Sequence, residues 1–282
     1  MSLFIELVQV ALGKRNELSR MPTAVEWEKI FDEAQRQAVS GLMIDGLERL
    51  PDSYRPPQVL LLQWIGLVQL NETAYKLHCR RAKELTSLFS KSGFTSCILK
   101  GVGMAQLYPD PGKRQCGDID IWVNGGRKEI VGWLRESYQT GNVIWHHIDA
   151  EIFGDVPTEI HYHPCWLYNP FCNKRLQKWF ESQKQQQMII DKRLGFAYPT
   201  VGFNAIYSLV HLYHHLIEEG IGLRHLVDYY YIVMALSADD KRILAGELKR
   251  FGMFRLVEAV MWVLGEMCGL PSEYMIVKPN EL

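Results

Sequence analysis

Through the first ninety residues apolar positions recur at three- and four-residue intervals, the period of a helix. Thr23, followed three residues later by Glu26, is a capping-box pattern. The run it opens, continuing to Gly41, places Val25, Ile30, Phe31, Ala34 and Ala38 largely on one helical face. The proline-bearing stretch 51–57 reads as a loop, and 58–91, free of proline and ending before Gly93, predicts one long helix. Its basic cluster Arg80, Arg81 and Lys83 reads as a solvated face. From Phe94 the texture changes to short β-rich runs: 94–99, 116–123, 143–148 and 158–162 predict strands, with a helix over 127–138. Beyond Pro164 the helical period returns, predicting helices over 174–184, 201–219, 223–236, 241–251 and 254–267. The glutamine-rich 183–187 reads as a polar loop or helix edge, and 271–282 carries no helix signal. This order predicts an α+β protein: a small mixed β-sheet core over 93–165, flanked by helical regions over 1–92 and 166–282.

One predicted strand carries an unusual polar pattern. In Arg114-Gln-Cys-Gly117-Asp118-Ile-Asp120-Ile-Trp-Val123, alternation puts Asp118 and Asp120 on one face while Ile119, Ile121 and Val123 point into a core. Two carboxylates side by side repel, and strand interiors disfavour aspartate. A divalent cation between them would supply the missing charge, and Mg²⁺ or Mn²⁺ takes carboxylate oxygens together with substrate phosphates. The bland alternative is a solvent-facing pair on an edge strand. Upstream, an apolar strand runs through Lys100 into a turn containing Gly101 and Gly103, then a helical stretch. Downstream, Glu159-Ile-His161-Tyr-His163 puts a third carboxylate and two histidines on one face of a later strand.

On these residues the chain resembles the nucleotidyltransferase superfamily, of polymerase-β-like fold, and within it an uncharacterised bacterial branch. The matching positions are Leu99-Lys100-Gly101, Tyr108-Pro109, Arg114, Gly117-Asp118-Ile119-Asp120 and Glu159-Ile160-His161. A weaker likeness extends to Trp27 and to Leu223-Arg224 through Asp228. The superfamily's usual glycine-serine pair after the first strand is here Lys100-Gly101, with no serine following. The resemblance implies a metal-dependent enzyme of the EC 2.7.7 type, moving a nucleoside monophosphate from a nucleoside triphosphate such as ATP to a hydroxyl acceptor. It implies catalytic and metal-holding roles for Asp118, Asp120 and Glu159, with Glu159 also a candidate base. Lys100 at its strand end can lean toward a triphosphate as a point charge, with Gly101 and Gly103 letting backbone approach phosphate oxygens. The alternative for Lys100 is a side chain snorkelling at a strand end. Arg114 is placed to pair with phosphate, with the aspartates, or in a structural salt bridge.

The histidines support a rival reading. His161, His163 and the preceding His146-His147 could hold zinc, but no H-E-x-x-H helix exists, and zinc there would leave Asp118 and Asp120 unexplained. His211, His214 and His215 fall at helical spacing, which for each singly is more simply packing, and Arg224 and Asp228, four apart, most simply form a helix-surface pair. A third reading is a catalytically inactive nucleotide- or protein-binding module of the same fold, against which stands the presence of all three carboxylates. With 282 residues, 48% apolar and 22% charged, the chain has ordinary globular composition. A net charge of −1 disfavours nucleic acid, so a small-molecule or protein acceptor is preferred to RNA. Glu6 sits where a secretory leader needs positive charge, and the most apolar stretch, 59–70, is interrupted by Gln63 and Gln69. Six cysteines without a C-x-x-C pair read as reduced thiols. Together these predict a cytoplasmic protein with no membrane partner.

Overall fold

A computed structural model describes residues 1–279 of the chain. Its N-terminal third is helical: α1 (Leu3–Ala11), α2 (Ala24–Arg36), α3 (Ser40–Arg49) and the 34-residue α4 (Gln58–Lys91). The capping box forms as read, with Thr23 Oγ1 accepting from the Glu26 amide and Glu26 accepting from the Thr23 amide. The helix it opens stops at Arg36 instead of running to Gly41. Ala38 turns into the left-handed region at φ 54°, its amide donates to Gln35 O at 3.0 Å, and the Val39 amide donates to Ala34 O at 2.9 Å. That is a Schellman ending with alanine where glycine is usual, so sequence alone gives no stop. Val25 accordingly faces solvent, while Trp27, Ile30 and Ala34 are buried.

The sheet has five strands in the order β1-β2-β5-β4-β3: β1 (Thr95–Ile98), β2 (Ile119–Asn124), β3 (Thr140–Val143), β4 (His147–Ala150) and β5 (Thr158–His161). β2 and β5 run parallel, and the other neighbouring pairs are antiparallel, a mixed sheet as expected. The predicted strand over 143–148 is instead a hairpin. β3 ends at Val143, β4 begins at His147, and the Ile144 amide donates to His147 O across the turn at 3.1 Å. No glycine, proline or asparagine marks positions 144–146. The turn is held from outside, by the Tyr162 amide donating to His146 O at 3.0 Å and the Tyr162 hydroxyl to His147 O at 2.9 Å.

α5 (Val102–Ala105) is a single turn after β1, and α6 (Arg127–Ser137) connects β2 to β3. After β5 come α7 (Pro170–Gln187), α8 (Val201–Glu218), α9 (Leu223–Ala235), α10 (Ala238–Arg250) and α11 (Phe254–Cys268). The glutamine-rich tract forms the last turn of α7. The tail expected to lack a helix holds one short 3₁₀ turn, Ser272–Tyr274; positions 280–282 of it lie outside the described residues.

Alternation along β2 splits the sheet's surroundings. Ile119, Ile121 and Val123 pack with Leu85 and Phe89 of α4 and Ile130 of α6 on one face. Trp122 points to the other, stacking on Phe203 of α8 with ring centroids 5.7 Å apart. The N-terminal helices share their own core with Leu223 and Val227 of α9. Among the described residues all six cysteines are free, and no helix is long and apolar enough to cross a membrane.

Candidate active site

Strand register builds the site. Asp120 of β2 stands opposite Glu159 of β5, which in turn stands opposite Asp149 of β4. One step along, Trp122, His161 and His147 form the next row. Directly paired residues share a face, so both rows lie on the surface turned toward the C-terminal helices. Between that face and α8 and α9 opens a cavity of about 650 Å³, lined by Lys100, Asp118, Glu159 and His161 on one side and by His211, His215 and Arg224 on the other. Seven of the chain's nine histidines line it.

Asp120 is the buried centre, 1% exposed. Lys100 Nζ lies 2.7 Å from its Oδ1, and His161 Nε2 lies 3.1 Å from the same oxygen and 3.3 Å from Glu159 Oε2. Burial alone would raise the Asp120 pKa, but the Lys100 ammonium and the His161 hydrogen bond outweigh it and hold the carboxyl well below the usual range. Burial pulls Lys100 and His161 downward; the surrounding carboxylates reverse this, leaving Lys100 raised and His161 pushed up to about 9. Sequence alternation anticipated repulsion at this strand. The fold instead meets the charge of Asp120 with two cationic side chains. The other oxygen, Oδ2, is buried without a hydrogen-bond partner.

Asp118 lies one residue before β2, so the predicted strand starts later than 116. It is partly exposed, and with Glu159 it borders both the main cavity and a neighbouring groove along 139–141 and 149–159. Ligand atoms of Asp120, Glu159 and His161 all lie within 4.8 Å of one another. Two carboxylates at that spacing, with one buried oxygen lacking a partner, fit a divalent cation.

The loop after β1 is shaped by glycine and by an ion pair. Gly101 adopts φ 57° and ψ −118°, a conformation open to glycine and strained for other residues. A Cβ on Gly103 would lie 2.9 Å from both Ile98 O and Tyr198 Cβ, so close packing requires this glycine. The helical stretch expected after the glycine turn is α5, a single turn. Arg114 pairs with Asp228 of α9, Nε to Oδ1 and Nη2 to Oδ2, each at 2.8 Å, and Nη1 reaches Gly101 O at 3.3 Å. The Tyr108 hydroxyl donates to Asp228 Oδ1 at 2.6 Å. Of its open alternatives, Arg114 therefore takes the salt bridge, with an unforeseen partner. The expected surface pair of Arg224 with Asp228 does not form. Asp228 is buried, and Arg224 Nη1 donates to Gln115 O at 3.2 Å.

His163 stacks on Trp145 with centroids 4.7 Å apart, whereas His146, His147 and His161 converge within 4.8 Å. His225, opposite the end of α8, went unnoticed in the sequence because no local spacing ties it to His211 and His215.

A family model described as "Uncharacterised nucleotidyltransferase" matches residues 23–269, and the chain belongs to that family. The crystal structure of an antigenic nucleotidyltransferase-like protein from Paracoccidioides brasiliensis is similar at 10% identity and a TM-score of 0.44, covering 72% of this chain and 94% of that one. No curated protein matches.

Proposed function

We propose that the cleft performs metal-dependent nucleotidyl transfer from a nucleoside triphosphate, ATP the first candidate, to the hydroxyl of a small-molecule or protein acceptor. The observation that carries this reading is the register of Asp120 against Glu159 beneath the cavity, with a free buried carboxylate oxygen and Lys100 at its rim. Asp120, Glu159 and Asp118 would hold Mg²⁺ or Mn²⁺, which when bound stabilises the charge on the entering and leaving oxygens. Glu159 accepts the acceptor's hydroxyl proton as that oxygen bonds to the α-phosphorus; the bond to the bridging oxygen breaks and pyrophosphate leaves. Lys100, shifting from Asp120, places its ammonium against the triphosphate, and Gly101 lets the loop backbone lie close to it. Gly103 and Arg114 serve the nucleotide by fixing that loop, one through close packing and the other through Asp228. The chain's net charge of −1 supports an acceptor other than nucleic acid.

The test is a nucleotide-by-acceptor screen for pyrophosphate release, run with wild type and Glu159→Gln. Release should need Mg²⁺ or Mn²⁺ and fall by about 10²- to 10⁴-fold in the variant, the range for loss of a general base. Equal release by both proteins would remove Glu159 from the chemistry.

A further inference from the structure

On the helical wall of the same cleft stand three histidines that nucleotidyl transfer as proposed does not use. His211 and His215, one turn apart on α8, face each other Nε2 to Nε2 at 2.9 Å. His225, in the first turn of α9, stacks on His215 with ring centroids 4.5 Å apart and an interplanar angle of 25°. One ring nitrogen from each lies within 4.8 Å of the others. We infer that His211, His215 and His225 form a separate metal site for a transition ion of the zinc class, with its remaining coordination position open to the cleft.

Three features support this. Tetrahedral zinc ligands at about 2.0–2.1 Å from the metal stand roughly 3.3 Å apart, so the two Nε2 atoms need to separate by only a few tenths of an ångström. His215 Nδ1 lies 3.1 Å from Glu219 Oε2, the carboxylate–histidine arrangement that orients a metal-binding imidazole and leaves Nε2 with its lone pair. His225 Nδ1 is buried without a hydrogen-bond partner. The neighbouring His214 is excluded, since its Nε2 lies 2.6 Å from Trp166 O and its Nδ1 3.5 Å from Glu218.

The geometry of α9 places His225 there. Gly222 gives that helix no side-chain cap, and Gln37 supplies one from the end of α2, with Oε1 accepting from the Leu223 amide at 2.7 Å and its carbonyl from the Arg224 amide at 3.3 Å. Three imidazoles and an open position suit an ion of borderline softness, whereas the Asp120–Glu159 pair suits a hard one. The inference stands independently of nucleotidyl transfer.

Co²⁺ is the probe, titrated into chelator-stripped full-length protein, read by its visible absorption and competed with Zn²⁺. Wild type should show tetrahedral-type absorption that saturates at one ion per chain and that Zn²⁺ abolishes. His215→Gln and His225→Gln should each weaken uptake by on the order of a hundredfold or more, because even an outer partner of a metal-bound imidazole is worth about 10- to 100-fold. His161→Asn, which removes a ligand from two of the three histidine-containing clusters on the sheet, should leave this absorption unchanged. Near-UV circular dichroism checks folding, and if His225→Gln fails to fold, the partly exposed His215 decides. No uptake by wild type, uptake indifferent to His215→Gln, or uptake lost in folded His161→Asn would each overturn the inference.

Discussion

Arg114 and Asp228, 114 residues apart in sequence, meet in a buried two-point ion pair with both N–O distances at 2.8 Å. The pair fastens the segment leading into β2, with its two aspartates, to the helix that carries Arg224 and His225. One contact thus fixes the sheet side of the cleft against the helical side. Removing one partner leaves a buried charge without its counter-ion, which typically costs about 3–5 kcal/mol. Asp228→Asn and Arg114→Met should each destabilise by about that amount in urea denaturation. The double variant should lose clearly less than the sum of the two. Strict additivity would show that the two side chains act separately.

The same pair sets an acid limit. Burial would raise the Asp228 pKa, but Arg114 outweighs burial and holds it below the ordinary range. A carboxyl whose folded pKa is depressed contributes stability that is fully present above its unfolded pKa of about 3.9 and is lost as pH falls through the folded value. Stability should therefore drop below about pH 4 with a steeper slope in wild type than in Asp228→Asn. Parallel slopes in urea melts from pH 6 to pH 2 would contradict this assignment.

In the proposed reaction Lys100, which pairs with Asp120, also binds the triphosphate. A charge-assisted hydrogen bond is worth about 1.5–3 kcal/mol, so Lys100→Ala should weaken triphosphate binding roughly 10- to 100-fold and nucleoside binding little. Calorimetric titration with each ligand separates the cases. Equal weakening for both would make Lys100 a support for the fold.

Ala38 offers a test remote from the cleft. An L-residue in the left-handed region costs roughly 1–2 kcal/mol, part of which glycine recovers after its larger unfolded-state entropy is subtracted. Ala38→Gly should raise stability by about 0.5–1 kcal/mol, and a destabilised variant would contradict the strain reading.

Much of this arrangement was legible in the sequence because period and chemistry coincide. The β-branched alternation from Ile119 to Val123 marks the strand, its core face and the carboxylate of Asp120 on the opposite face, and Glu159 follows from the same rule. What was hidden depends on partners far along the chain. The turn at 144–146 is held by Tyr162, and the end of α2 rests on an alanine in a glycine conformation. Asp228 looked like a surface residue because its neighbour at helical spacing, Arg224, is cationic; its true partner comes from before β2. The neutralisation of Asp120 by Lys100 and His161 was equally invisible, since it needs the loop after β1 and strand β5 folded together.

The central claim is that Asp120 and Glu159 hold a divalent cation together with nucleotide. Its most direct test is a thermal melt of wild type and Asp120→Asn, each with and without Mg²⁺ and a nonhydrolysable ATP analogue. At a ligand concentration a hundredfold above Kd, wild type should gain about 2.7 kcal/mol, and only when both Mg²⁺ and nucleotide are present. Asp120→Asn should gain little from the same mixture, and Asp118→Asn, at a less buried position, less than wild type. An equal gain in wild type and Asp120→Asn, or no gain in wild type, would contradict the account.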